Sequence, residues 1–403
     1  MSIYLLFAAA ICGVLCGCQK KAVPRCAAAV QDEPLATYQN ELLSIAFEVA
    51  SAIPSVPHIK TRSAAQEAVV MAHLELDQPL KASLLTERIE SWRQGMCYAN
   101  IAFYFAQHGL SNEARNHIGL AEKVLKEDLG QEWRNNRISI RIRQARTLLD
   151  GPADASEEQS PTGESETDKA EEAAAIVADA NSFDQTVARL EAMIASGNFD
   201  VTRHALKAYA RLFESFYDDE SRRNLVESKI RESSGLLPVQ VRADLYILMA
   251  EAALNHSDNT KCLALIKEIQ LAVSEQEWPV EQYVPLMGRL IELRYRAGDV
   301  ETARREADRC IKLFESRKDE MVNLYRAPTL RAIAQAYQVM GDSAKALSVY
   351  RQVVEEGLAN PNSRPRAQEL SATCISMALY GVEPDAELMG RIHQIRDGLG
   401  EPW

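Results

Sequence analysis

A chain of 403 residues with 47% hydrophobic and 25% charged side chains is long enough for two or three domains and can bury ordinary cores, which excludes a disordered tail. Its net charge of -12 argues against nucleic acid, whose phosphates demand a basic surface. The cysteines include no C-x-x-C pair, and Cys26, Cys97, Cys262, Cys310 and Cys374 are scattered singles, so neither a zinc site nor a complete disulfide framework follows.

The chain opens with an uncharged run from Ile3 to Gly17. At about fifteen residues it has the length of a signal h-region and falls short of the ~20 needed to cross a bilayer. The run closes on Leu15-Cys16-Gly17-Cys18, which resembles the bacterial lipobox. That resemblance implies cleavage after Gly17 and diacylglycerol on the Cys18 thiol, giving a signal peptide over 1–17. Gln19, in place of Asp, implies sorting to the outer membrane in bacteria that use that rule. Acyl chains at ~0.8 kcal/mol per buried methylene would hold the protein to the membrane. Residues 18–35, with Pro24 and Pro34, read as a flexible tether.

Helical periodicity then fills 36–150. The stretch Arg137 to Arg143 alternates with period two, but Ile138, Ile142, Ala145 and Leu149 continue a longer helical stripe, and length decides for helix. Residues 151–172 are rich in Ser, Glu, Pro and Gly and nearly free of large apolar side chains, a composition that cannot offset ordering entropy. They are expected to form an acidic flexible linker between the unit at 36–150 and a larger helical unit at 173–403. The fold class is all-α.

Within both units apolar stripes meet at short corners. Around Gly341-Asp342, Leu330, Ile333, Ala334 and Tyr337 precede the corner, and Ala346 and Tyr350 follow it. Glycine suits the left-handed residue that ends one helix, and Asp342 can cap the next. Ala334 and Ala346 are small where two helices would cross, while Tyr337 and Tyr350 fill the gaps beside them. Gly298-Asp299 with Leu290, Tyr295 and Ala303 repeats the pattern, with Arg294 at the place of Tyr337. Ile101, Ala102, Phe105, Gly109, Ala114 and Ala121 give a third copy, with Ser111 as its expected cap, and further corners are expected at Asp77, Gly197 and Asp258.

This small-and-large code resembles the tetratricopeptide repeat. The resemblance implies a solenoid of helical hairpins whose first helices line a concave, partner-binding face. Carried onto this chain, that face holds Phe103, Glu292, Tyr295, Arg296, Arg331, Gln335 and Gln338. Gly288 and Glu292 stand where a carboxylate clamp would need basic and amide residues, which argues against such a clamp.

No H-E-x-x-H, G-x-S-x-G, Walker loop or dinucleotide fingerprint occurs, and no cofactor or metal is expected. His108 and His117 flank a corner without carboxylate or thiolate company. The arginines at 134, 137, 141 and 143 form the densest positive face, read as solvated surface in preference to a clasp for the acidic linker. The expected function is therefore a non-enzymatic, lipid-anchored scaffold of a bacterial envelope, facing the periplasm and binding an envelope protein or peptide segment. The alternative is a glycan-capturing or small-ligand-capturing lipoprotein on a similar frame. The 6% aromatic content weighs against glycan capture.

Overall fold

The computed structural model describes residues 30–127, 132–151, 166–275 and 277–403. Cys18 and the signal run lie outside the described residues. Among those described there are eighteen α-helices and no strand, so the protein is an all-α solenoid of helical hairpins.

Five hairpins carry the pattern most clearly: α4 (Arg93–Gln107) with α5 (Ser111–Glu127), α11 (Val239–Asn255) with α12 (Asn259–Ser274), α13 (Val280–Arg296) with α14 (Val300–Arg317), α15 (Asn323–Val339) with α16 (Ser343–Leu358), and α17 (Ser363–Leu379) with α18 (Ala386–Asp397). Second helices bury one narrow stripe, such as Ala303, Ala307, Cys310 and Phe314 on α14. First helices are buried on several sides, as are Val284, Leu286, Met287, Leu290, Ile291 and Leu293 on α13. That difference sorts them into an outer and an inner layer.

One corner design recurs. Asp77, Gly109, Gly197, Ser257, Gly298, Gly341 and Gly381 have φ between 54° and 93°. At six of them the next amide donates five residues back, as in Asp342 N to Tyr337 O at 3.0 Å and Leu110 N to Phe105 O at 2.9 Å. This is the Schellman closure, which satisfies carbonyls that a helix end leaves open. Asp258 and Asp342 then cap the second helices, accepting from Lys261 N at 2.9 Å and Lys345 N at 3.1 Å. At the Gly109 corner the cap position belongs to Leu110, whose carbonyl accepts the first helical bond from Ala114 N; Ser111 is already helical. The repeated glycine sets the frame there, and one residue of offset displaces the serine.

The inner helices hand contact from one to the next around a closed path. It runs from α2 (Ser55–Glu75) through α4, α6 (Glu132–Asp150), α7 (Glu166–Ala175), α9 (Phe199–Ser215), α11, α13 and α15 to α17, which returns to α2 and to α1 (Thr37–Ala52). The solenoid is thus a ring. Its seam buries Leu42, Leu43, Ile45, Ala46, Phe47 and Val49 of α1 almost completely. At the edges of the seam Gln39 Nε2 donates to Ala378 O at 2.8 Å, Glu41 meets His393 Nε2 at 3.0 Å and Arg396 reaches Glu48 at 3.4 Å.

Two expected flexible segments are partly ordered. Within 18–35, Asp32 accepts from Leu80 N at 2.8 Å and Lys81 N at 3.0 Å, capping α3 (Pro79–Thr86) from a distance in sequence. The amides in the first turn of a helix have no intrahelical acceptor, and the carboxylate fills the need. Within 151–172, the chain is helical from Glu166, because Ala170 and Ala173 are buried as α7 packs between α6 and α9. Gln144 of α6 donates to Ala174 O at 2.6 Å, so helical packing continues across the expected boundary. Glu157, Glu158 and Glu164 lie outside the described residues.

Candidate functional site

Aligned on their corners, the inner helices share one register. Phe103, Glu251, Glu292 and Gln335 each lie six residues before the left-handed residue of their hairpin. The structure treats these positions differently, and the difference defines the site.

On α15 the expected ligand-facing residues are engaged by α17. Arg331 Nη1 donates to Glu369 at 3.0 Å and Thr373 Oγ1 at 3.3 Å, Gln335 Nε2 to Ser376 Oγ at 2.8 Å, and Gln338 Nε2 to Gly381 O at 3.4 Å. These three side chains hold neighbouring helices together. Phe103 is half-buried beneath the Arg141 guanidinium, 4.6 Å from its ring centre. The arginine face is similarly occupied at Arg137, 5.6 Å above the Trp92 ring.

On α13 the corresponding charged residues, Glu292 and Arg296, are not tied to a neighbouring helix by ion pairs among the described residues. Glu292 and Tyr295 are half-buried, and Arg296 is exposed. Glu251 on α11, a residue that the copy-by-copy reading missed, stands in the register of Glu292 and likewise has no ion pair there. The register itself, counted back from Ser257, would have found it. Tyr380, just after α17, is close enough for the Glu292 charge to act on its phenol. Arg289 is turned away from this group by Asp244 on α11, at 2.5 Å.

Crowding by protein strips water from these groups, and carboxyl groups short of water hold their protons. The Glu292 carboxyl is pushed up to about 7, mainly by this loss of hydration and further by the Glu251 charge; Arg296, Tyr380 and Arg289 pull the other way. Glu251 is raised as well, again chiefly by burial. The Glu75 carboxyl, at the end of α2, is raised in the same direction by loss of hydration. The Tyr380 phenol is pushed upward by burial and then by the Glu292 charge.

The remaining repeat positions are core. Ala102, Ala114, Ala303, Ala334, Ala346 and Tyr350 are fully buried, Tyr337 nearly so, and Gly109, Gly298 and Gly341 occupy corners. Arg294 replaces an aromatic at its corner with a network to Asp299 at 2.9 Å, Glu306 at 3.1 Å and Gln270 at 2.8 Å. Cys97, Cys262, Cys310 and Cys374 are buried free thiols, and burial pushes the last three up to about 12. Among the described residues no group of three or more His, Cys, Asp or Glu could hold a metal ion, and no helix is long and apolar enough to cross a membrane. His108 stacks on Tyr104 and His117 meets Ser83 Oγ at 3.0 Å, so neither histidine turns to the other. No protein-family model and no curated protein matches this chain.

Proposed function

We propose that this protein is a non-enzymatic interaction scaffold of the bacterial cell envelope, anchored through lipid on Cys18 and binding a partner protein or peptide on the inner face of α11 and α13. The observation that carries the reading is the contrast between neighbouring inner helices. On α15, Arg331, Gln335 and Gln338 hold α17 and Gly381, whereas Glu251, Glu292 and Arg296 on α11 and α13 make no ion pair within 4 Å among the described residues, and Tyr295 beside them keeps part of its ring exposed. Tyrosine and arginine are the residue types that dominate binding hot spots. The tetratricopeptide-like corner and the lipobox-like Cys18 support the envelope setting and the anchored, periplasm-facing orientation.

The test is crosslinked affinity capture from intact cells, comparing the native chain with Tyr295→Ala/Arg296→Ala and with Cys18→Ala. The double substitution should remove a specific envelope protein from the captured set while the circular dichroism of the purified chain stays unchanged. Cys18→Ala should move the protein from the membrane fraction to the soluble one. Undiminished capture by the double variant would refute this site, and unchanged membrane retention of Cys18→Ala would refute the anchor.

A further inference from the structure

Arg141 of α6 and Arg211 of α9 meet at the end of α7, the short helix packed between them. Arg211 Nη1 donates to Ala174 O and to Ile176 O, each at 3.2 Å. Gln144 Nε2 donates to the same Ala174 oxygen at 2.6 Å, and its Oε1 accepts from Arg141 Nη1 at 3.0 Å. One carbonyl and one amide side chain therefore link the two guanidinium groups. Arg141 is fixed a second time by the Phe103 ring of α4, whose centre lies 4.6 Å from its guanidinium carbon.

Holding the end of α7 occupies one nitrogen of each arginine. Among the described residues Nε and Nη2 of both make no hydrogen bond, and neither side chain has an ion-pair partner within 4 Å. Gln144 is neutral and spends both ends of its amide, so it cannot balance the charges. Glu214, one turn beyond Arg211, is engaged by Asn255 of α11 at 3.0 Å. Elsewhere on the inner helices Arg289, Arg294 and Arg331 each meet a carboxylate. Arg211 is open to water and Arg141 half-buried, yet protein crowds both. Burial is the main cause that lowers their hold on a proton, and the Arg211 charge lowers that of Arg141 further. Exposed Lys207, one turn before Arg211 on α9, adds a third positive charge to the same side of that helix.

We propose that Arg141 and Arg211 form an anion-binding site at the junction of α6, α7 and α9, which takes a doubly charged oxyanion, a phosphate group or a dicarboxylate, on their free nitrogens. A guanidinium edge offers paired N–H donors that match two oxygens of one such group. The Phe103 ring and the carbonyl oxygens of Ala174 and Ile176 hold the arginines in place before the ligand arrives. A bound oxyanion supplies the negative charge that the surrounding fold does not.

The site lies on other helices than the face of α11 and α13 proposed for partner capture, so either can fail without the other. Isothermal titration calorimetry of the full chain with sodium phosphate and with sodium succinate at pH 8, against sodium chloride of equal ionic strength, tests it. At least one of the two anions should bind and saturate where chloride does not, and which of them binds assigns the class. Arg141→Gln and Arg211→Gln should each weaken that binding by about tenfold or more, and Arg141→Lys should not restore it, because an ammonium lacks the paired donors. Arg289→Gln, which removes an equal charge from α13, should leave the affinity within about twofold. Circular dichroism of each variant reports its fold; if Arg211→Gln loses helicity, Arg141→Gln carries the test, since the Arg141 nitrogen bonds only a side chain. Heats no larger than those of chloride for both anions, an affinity unchanged in a folded Arg141→Gln or Arg211→Gln, or an equal loss in Arg289→Gln would each overturn the site.

Discussion

A Cβ built on Gly288 would stand 2.9 Å from the backbone carbonyl oxygen of Ala332, so α13 and α15 touch along a line that only a hydrogen atom fits. Because the obstacle is backbone, no side chain can swing aside. Gly288→Ala should therefore cost about 1–3 kcal/mol through displacement of α15. Gly119, inside α5 with open space around it, is the matched control. Gly119→Ala should stabilise by about 0.5–1 kcal/mol through helix propensity. Urea denaturation of the two variants checks the opposite signs, and equal midpoints would contradict the close crossing.

The Gly341 corner combines a left-handed residue with the Asp342 cap. Asp342→Ala should lower stability by roughly 1 kcal/mol, because the Lys345 amide loses its acceptor. Asp342→Asn should keep most of that stability, since an amide oxygen can take the same bond. Thermal melting of the three proteins separates a cap from a surface charge.

His73 is buried on α2 with Nδ1 2.8 Å from the Gln78 amide oxygen, and burial is the main cause that lowers its affinity for a proton. Its folded value lies below the ordinary 6.5, so its contribution to stability is complete above that pH and is lost as the pH falls towards the folded value. His73→Gln should flatten the slope of unfolding free energy below about pH 6.5. A slope unchanged by the substitution would show that His73 takes up no proton on unfolding.

Removal of residues before Ile53 deletes α1 and uncovers the side of α17 that it covers. The shortened chain should bind a hydrophobic dye such as ANS and self-associate, while hairpins remote from the seam keep their helicity. A monomeric, dye-silent product would mean that α17 does not need this cover.

The hairpin corners were legible because their requirements are local. A left-handed residue, a capping carboxylate and two apolar stripes fall within about twenty residues, and Gly109, Gly298 and Gly341 announce them. Ring closure has no such local signature. The residues of α1 look like any amphipathic stripe, so nothing within α1 says that its neighbour is the last hairpin. The same blindness assigned Arg331, Gln335 and Gln338 to a ligand, because their competitor Ser376 and its neighbours arrive from another hairpin. At α7 a polar composition hid the two buried alanines that hold the helix in place.

The seam also has a consequence for how the chain is made. Roughly 300 residues separate the end of α1 from the start of α17. Throughout synthesis, the face that α1 turns to α17 has been produced while its cover has not. A nascent chain interrupted anywhere before Ser363 carries that face bare, which makes it a ready target for holding chaperones and proteases, and only complete copies can conceal it.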